Sequence, residues 1–322
     1  MRLATTAFSF TNEWLSRRYT LEQLLRRIAA EDLGPGVELI GFQAWRSYPA
    51  LTSDEVLAFR SLVDDLGLEP AALGAYVDLA RRVDRPMSTD EAIEFLTPQI
   101  TLARALGFPL VRLHPGIPAD VLERAAEHGG VTLAVEVQGG QTPDDPSVET
   151  VLEVRERAPN VALALDFSVA MHAVPAAFVR AVTQLGVEQH DLEALLARWE
   201  QGASTRELFA AFAQIDAPTT ALDEARAGFV RFGHQEPEAW RPLVPAIAYA
   251  HAKFWEEDDP TRTVELLDVL REGGYDGFVA CEWGGNAWAD TDDVDAFDVV
   301  RRHHELCHDL MSTSAAELPA QR

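Results

Sequence analysis

The feature that most constrains the fold is a repeated alternation of short β-type runs with helical patterns. Such alternation is typical of a parallel sheet whose strands are joined by crossover helices. The runs occupy residues 2–8, 37–43, 70–77, 108–114, 131–137, 161–167, 246–253 and 277–283. Eight strands are the number that a closed (β/α)8 barrel needs. We therefore predict an α/β fold of the TIM-barrel type.

Capping chemistry predicts where several of the intervening helices begin and end. A capping box pairs an N-cap hydroxyl with a Glu or Gln side chain three residues later. The pattern occurs at Thr20 with Gln23, Thr52 with Glu55, Ser88 with Glu91 and Ser204 with Glu207. Glycines placed to end helices in a left-handed conformation are Gly67, Gly107, Gly129 and Gly273. Residues 52–66 also have the 3.6-residue apolar period expected of an outer barrel helix.

One connection is much longer than the others. The stretch between the sixth and seventh runs contains about residues 176–240, which we interpret as a helical insertion after strand six. A loop in this position lies on the catalytic face of a barrel, so the insertion is expected to form a lid, a partner-binding surface or only an added helical subdomain. We expect residues 1–311 to form one barrel domain that includes this insertion. Residues 312–322 are predicted to be a disordered tail.

Bulk composition excludes several classes of partner. The formal net charge is −25, which disfavours nucleic acid and anionic membrane surfaces. Two cysteines provide no disulfide framework and suit a reducing compartment, so we predict a cytoplasmic protein. No apolar stretch approaches the length of a membrane span. Motifs typical of nucleotide-binding loops and serine-hydrolase elbows are absent from the sequence.

Polar residues end four consecutive β-type runs, at the barrel edge where reacting groups lie. They are Glu136, Asp166, His251 and Glu282. Buried charges in apolar runs are costly unless they meet a partner or a metal. Three carboxylates and one imidazole suit Mn²⁺, Mg²⁺ or Co²⁺ better than structural zinc, and we predict one divalent ion, with Mn²⁺ preferred.

Other residues near the strand ends are candidates for proton transfer. Lys253 follows His251 by two residues and so faces the same cavity; it would polarise a substrate oxygen or supply a proton, or else pair with Glu256 or Glu257. His114 ends the fourth run and is a second acid/base candidate, unless it is a hydrogen-bonded core residue.

Four further residues are predicted to bind the substrate. Gln138 lies two residues after Glu136 and should face the cavity, and His172 lies on the loop after the sixth run. Trp255 and Trp283 lie just beyond strand ends, where an indole face would stack on a sugar, although aromatic residues more often fill a core.

The order of these strand-end motifs resembles a known superfamily. The motif HAK at 251–253 and the motif GGYDGFVACEWGGN at 273–286, following the earlier Glu and Asp, resemble the xylose isomerase-like barrels of sugar isomerases and 3-epimerases. The resemblance covers roughly residues 1–310. It implies a divalent ion, often Mn²⁺, on the four residues named above, with Glu136 and Glu282 also acting as acid/base residues.

Some segments look closer still to one branch of that superfamily. The segments LDFSVAMHAVP at 165–175 and HAKFWE at 251–256 resemble the large (alpha) subunit of bacterial C-glycoside deglycosidases. That resemblance implies elimination of an aglycone from a 3-oxo-glycoside, together with a small β-rich partner subunit. One departure concerns Gln138, because many relatives have a histidine or another base at this position.

Three functions follow, all on a carbohydrate or glycoside. The first is an isomerase or epimerase that removes a proton next to a sugar carbonyl through a metal-stabilised enediolate. The second is the catalytic subunit of a C-glycoside deglycosidase, which shares that proton-abstraction step. The third is a sugar-binding barrel without catalysis, for which Gln138 is the hint. We also expect an oligomer.

Overall fold

The computed structural model describes residues 1–255, 260–288 and 294–312. Eight parallel strands pair in sequence order, and the first closes onto the last to complete the barrel. The strands are β1 (Arg2–Thr6), β2 (Gly36–Ile40), β3 (Glu69–Gly74), β4 (Leu110–Leu113), β5 (Thr132–Val137), β6 (Val161–Asp166), β7 (Ile247–Phe254) and β8 (Phe278–Trp283). The predicted TIM barrel is confirmed. Strands β1 and β2 end before the predicted limits, because the chain turns there into short helical segments.

Thirteen α-helices are present in the part of the chain that the structure describes. They are α1 (Thr11–Leu15), α2 (Leu21–Ala30), α3 (Gly41–Ala44), α4 (Ser53–Asp65), α5 (Thr89–Leu106), α6 (Ala119–Ala126), α7 (Pro146–Arg157), α8 (Ala176–Gln184), α9 (Gln189–Glu200), α10 (Thr205–Phe212), α11 (Thr219–Phe229), α12 (Thr261–Glu272) and α13 (Ala296–Ser312). Short 3-10 segments occupy Ala7–Phe10, Phe167–Val169, Pro237–Ala246 and Gly285–Ala287.

The predicted helix starts are confirmed at all four capping boxes, each with both of its hydrogen bonds. Among the predicted helix ends, Gly67, Gly107 and Gly129 have the positive φ of a left-handed residue. The prediction for Gly273 was wrong, since its φ is −76°. Its N–H still donates to a carbonyl within α12, so the chain reverses one residue later, at Gly274, where φ is 78°.

The barrel interior is built in two layers. The lower layer consists mainly of alanines with two larger residues, namely Ala4, Ala72, Ala134, Ala164, Ala280, Leu110 and Tyr249. Strand side chains alternate between faces, so residues two positions further along each strand also point inward. On six strands, β2 and β4 to β8, the inward residue of the next layer is charged or an imidazole, namely Glu38, Arg112, Glu136, Asp166, His251 and Glu282. Small residues below therefore leave room for a buried polar layer above.

The insertion after β6 forms a helical layer with its own apolar core. Helices α8 to α11 lie within the predicted range, and Phe178 packs edge-on against Phe229 and Phe232, with ring centroids 5.6 and 5.1 Å away. The indole of Trp199 donates to the Phe232 carbonyl at 2.9 Å. Trp255 from the end of β7 joins this cluster, which anchors the insertion to the mouth of the barrel.

Two predictions concern the ends of the chain and membranes. Of the predicted tail, Ser312 is the last residue of α13, and residues 313–322 lie outside the described residues. Among the helices that the structure describes, none has the length and apolarity needed to cross a membrane.

Candidate metal centre

The four predicted metal ligands converge inside the barrel. Donor atoms of Glu136, Asp166, His251 and Glu282 all lie within 4.8 Å of one another, and all four residues are buried. The Nδ1 of His251 lies 3.0 Å from Glu136 Oε1, 3.1 Å from Glu282 Oε2 and 3.8 Å from Asp166 Oδ2. Parallel pairing explains the convergence, because it sets Asp166 directly opposite His251 in adjacent strands.

Each carboxylate of this cluster has one oxygen near the His251 ring and the other held by a neighbouring donor. The donors are Arg112 Nη1 to Glu136 Oε2 at 3.0 Å, the Ser168 backbone N–H to Asp166 Oδ1 at 2.7 Å and Lys253 Nζ to Glu282 Oε1 at 2.5 Å. These contacts restrict the carboxylate orientations before any ligand binds. Preorganised ligands supported by neighbouring hydrogen bonds are typical of metal sites.

The imidazole of His251 is oriented in the same way. Its Nε2 lies 2.6 Å from Glu38 Oε2, on the side of the ring opposite the cluster. With Nε2 as the donor to Glu38, Nδ1 keeps a lone pair directed toward the three carboxylates. A histidine that ligates a metal commonly donates its other N–H to a carboxylate in this manner.

The charges around His251 fit a divalent cation. Four carboxylates, including Glu38, face the two cations Arg112 and Lys253, which leaves an excess of two negative charges around a neutral imidazole. Without a metal, burial by itself would lower the pKa of His251, but the nearby carboxylates of Glu38 and Glu282 raise it well above its ordinary value. The residues therefore match one divalent ion in both donor type and charge.

Glu38 and Arg112 are site residues that the sequence analysis missed. Arg112 bridges Glu38 and Glu136, with its Nε 2.6 Å from Glu38 Oε1. Burial alone would raise the pKa of Glu38, but His251 and Arg112 hold it at about 2, so its carboxylate is charged. The available signal was a charged residue inside an apolar strand run, in VELI and LVRL. Glu38 lies near the start of its run, and the Arg112 guanidinium offers no lone pair to a metal, so a search for metal ligands at strand ends passes over both.

A cavity of about 940 Å³ opens above the cluster. Among the predicted residues, Gln138, Lys253 and Trp255 line it. Lys253 joins the cavity to the buried acids, because its Nζ also lies 3.3 Å from Asp166 Oδ2. The insertion supplies part of the wall through Thr205, Val230 and Arg231. The cavity volume lies near the upper end of the range for small-molecule sites.

The remaining predicted residues lie away from the cluster or its cavity. His114 has Nδ1 2.8 Å from the Pro115 carbonyl and Nε2 2.6 Å from the Val77 carbonyl, so proton transfer by its ring would first require one contact to break. Trp283 is buried in the core and donates to the Trp255 carbonyl at 3.2 Å. His172 is exposed beside a smaller adjoining cavity of about 170 Å³. The predicted alternative for Lys253, pairing with Glu256 or Glu257, involves positions outside the described residues.

Comparison with known families identifies related proteins that align with nearly the whole chain. The sequence model of the xylose isomerase-like TIM barrel family matches residues 28–187. A 3'-dehydrocarminate deglycosidase alpha subunit from a Microbacterium species is 30% identical over 98% of this chain and 97% of its own. A C-glycoside deglycosidase alpha subunit from Arthrobacter globiformis is 31% identical over 95% of this chain and 91% of its own.

The barrel also has similar solved structures. One is a xylose isomerase domain protein from Alicyclobacillus acidocaldarius, with a TM-score of 0.58 and 13% identity. The alignment covers 97% of this chain and 98% of that protein. At this level of identity the likeness concerns the fold.

Proposed function

The chain belongs to the xylose isomerase-like family of C-glycoside deglycosidase alpha subunits, and we propose on this premise that it cleaves the aglycone from a 3-oxo-C-glycoside. As a member of this family it is a carbohydrate-active enzyme. The observation that carries the proposal is the similarity to deglycosidase alpha subunits over nearly the full length of both chains. It favours the lyase over the isomerase or epimerase, which the strand-end motifs alone had placed first.

The size of the cavity supports a glycoside as substrate. At about 940 Å³ it is much larger than one hexose ring, so a sugar seated over Lys253 leaves room for an aglycone. Trp255 and Phe8 supply aromatic surface beside Lys253, whose Nζ lies 5.6 and 5.4 Å from their ring centroids. Such surface suits a flat ring or the apolar face of a sugar.

We assign the resident cofactor to the four-residue cluster. Glu136, Asp166, His251 and Glu282 would hold one divalent ion, with Mn²⁺ as the preferred candidate and Mg²⁺ or Co²⁺ as alternatives. When bound, such an ion supplies Lewis-acid polarisation of a carbonyl oxygen. Arg112 and Glu38 keep the carboxylate and imidazole ligands in position.

Glu282 and Lys253 form the proton-handling pair in this proposal. In a 3-oxo-glycoside the hydrogen between the ketone and the anomeric carbon is acidic, and the Glu282 carboxylate would accept it. The electron pair left behind forms a double bond to the anomeric carbon as the bond to the aglycone breaks. The aglycone carbon then takes a proton from the Lys253 ammonium group. Lys253 lines the cavity and contacts Glu282 Oε1. The group that accepts the proton and the group that donates one therefore lie next to each other, as this sequence of transfers requires.

The names of the relatives also support a partner. Both are named as alpha subunits, and we propose that this chain works with a partner subunit, small and β-rich, in an oligomer. Co-expression followed by size-exclusion chromatography tests this directly, with a stable complex as the expected result. Faster aglycone release by the complex than by the single chain would support a catalytic role for the partner.

The decisive experiment follows proton abstraction and cleavage separately. The Mn²⁺-loaded chain is incubated with a 3-oxo-C-glycoside in D₂O, and NMR records exchange of the hydrogen next to the ketone while chromatography records free aglycone. We expect exchange with the single chain, and loss of both signals in Glu282→Gln. The matched control is Glu156→Gln on the exposed face of α7.

Two results would redirect the assignment. Conversion of a free ketose such as D-fructose, with no exchange on the glycoside, would support the epimerase. Glycoside binding without exchange or cleavage, with and without the partner, would support the non-catalytic sugar-binding barrel.

A further inference from the structure

We propose that the cavity contains a subsite for an acidic group on the aglycone and that Arg231 binds this group. The inference rests on the proposed function, because it concerns the part of the glycoside that leaves. It names a class of substrate, namely an aromatic aglycone that carries a carboxylate. The starting observation is the distribution of charge along the cavity wall.

Among the residues that the structure describes, three charged side chains line the cavity, and two of them are already engaged. Lys253 contacts Asp166 and Glu282 in the cluster. Asp145 caps α7, with Oδ1 accepting from Ser147 N–H at 2.8 Å and from its hydroxyl at 2.5 Å. The third side chain is Arg231.

Arg231 has a different environment. Its guanidinium carbon lies 5.9 Å from the ring centroid of Trp288, and no carboxylate among the residues described in the structure pairs with it. The chain carries a net charge of −25, and many of its other arginines form ion pairs. A guanidinium at the cavity wall that pairs with no carboxylate of the described part of the chain is therefore suited to an anion that comes with the ligand.

The backbone around Arg231 is held against the barrel by a close contact and by hydrogen bonds. Gly139, just after β5, approaches the Val230 carbonyl so closely that an added Cβ would collide with it. Gly233 N–H donates to the Ser168 carbonyl at 2.7 Å, and its own carbonyl accepts from Met171 N–H at 2.9 Å. Ser168 in turn contacts Asp166. Arg231 is thus held in register with the strands that supply the cluster.

The cavity wall therefore carries two different cations. Lys253 comes from the barrel and contacts the buried acids, whereas Arg231 comes from the insertion. Aromatic surface from Phe8 and Trp255 lies beside Lys253. A planar guanidinium binds a carboxylate through two parallel hydrogen bonds, and this geometry gives specificity as well as affinity.

Calorimetry with two matched C-glycosides tests the subsite without catalysis. One ligand carries a carboxylate on its aromatic aglycone, and the other carries the methyl ester of that carboxylate. The sugar of neither ligand is oxidised at C3, so neither is a substrate for the proposed cleavage. For Arg231→Gln we expect the Kd of the acid to rise roughly 10-fold, as for loss of a charge-assisted hydrogen bond, while the ester changes less than about twofold. Arg231→Lys should recover part of the loss. The matched control is Arg226→Gln in α11, which removes the same charge outside the cavity wall.

The outcomes separate this inference from the proposed function. Equal losses for acid and ester in Arg231→Gln, or no loss for either, would overturn the subsite whether or not the enzyme cleaves glycosides. A preference for the acid that depends on Arg231 would support the subsite even if hydrogen exchange and aglycone release were absent. The absence of exchange and release would contradict only the proposed function.

Discussion

His251 uses the two nitrogens of one buried ring for different purposes. Nδ1 faces the three carboxylates of the cluster, while Nε2 is occupied by Glu38. The ring is only 1% exposed, so solvent does not compete for either nitrogen. Substitutions on the two sides of the ring should therefore have different effects on metal binding.

Removing a ligand should abolish stoichiometric metal binding. In His251→Ala and in Glu282→Gln we expect the metal content, measured by elemental analysis after Mn²⁺ loading and desalting, to fall from about one ion per chain to a small fraction. Glu156→Gln is the matched control and should retain the ion. A fully loaded His251→Ala protein would rule out the assigned ligand set.

Removing the partner of the ligand should have a smaller effect. Glu38→Gln keeps the size of the side chain but removes the charge that orients His251 and pairs with Arg112. Loss of such a partner typically lowers metal affinity by roughly 10–100-fold, and we expect a decrease in this range for Mn²⁺ by calorimetric titration. Unchanged affinity would mean that Arg112 and the carboxylates orient the site without Glu38.

At the scale of elements, the insertion is joined to the barrel by close backbone contacts. Helices α8 to α11 pack on their own aromatic core, and the segment after α11 hydrogen-bonds to the turn that follows β6. Glycine at 139 is required for two reasons, since its φ is 56° and its Cα faces the Val230 carbonyl. Either reason disfavours a side chain.

A pair of glycine substitutions separates these two effects. Gly67 has a similar φ of 65° but no atom close to its missing Cβ, so Gly67→Ala should cost only the left-handed penalty of about 1–2 kcal/mol. Gly139→Ala adds the collision, and we expect a larger loss of unfolding free energy, measured by urea denaturation, together with weaker glycoside binding. Equal losses of unfolding free energy in both variants would show that the segment after α11 moves aside without destabilising the protein.

At the scale of the whole molecule, an excess of two negative charges is buried at one point inside the barrel. Four carboxylates face two cations there, and each contact between like charges opposes folding until a cation is present. A metal that binds the folded state alone therefore stabilises the protein. With the proposed ion bound, the charge of the cluster would thus link global stability to metal supply.

Metal removal should lower the melting temperature. At a Mn²⁺ concentration 100 times the Kd, binding contributes about 2.7 kcal/mol, so we expect treatment with a chelator to lower the Tm by several degrees and added Mn²⁺ to restore it. Differential scanning calorimetry measures both steps. In His251→Ala the Tm should not respond to Mn²⁺, and a response equal to that of the wild type would place the stabilising ion elsewhere.

Patterns within short stretches of the sequence determined much of the fold and part of the candidate site. Apolar runs, capping boxes and their spacing predicted the eight strands and four helix starts, because those signals depend on neighbours within a few residues. Strand-end polarity likewise identified Glu136, Asp166, His251 and Glu282, since parallel strands bring their carboxyl ends together. These features follow from periodicity and topology, so no knowledge of distant contacts is needed.

Only the tertiary structure decided how those four residues are supported and what surrounds them. Glu38 and Arg112 lie on strands distant in sequence from His251, and closure of the barrel is what brings them to it. The left-handed glycine after α12 is Gly274, because one more helical hydrogen bond forms before the chain turns. Arg231 reaches the cavity wall because the insertion folds back onto the turns after β5 and β6. Such contacts depend on packing between distant segments, which no local pattern encodes.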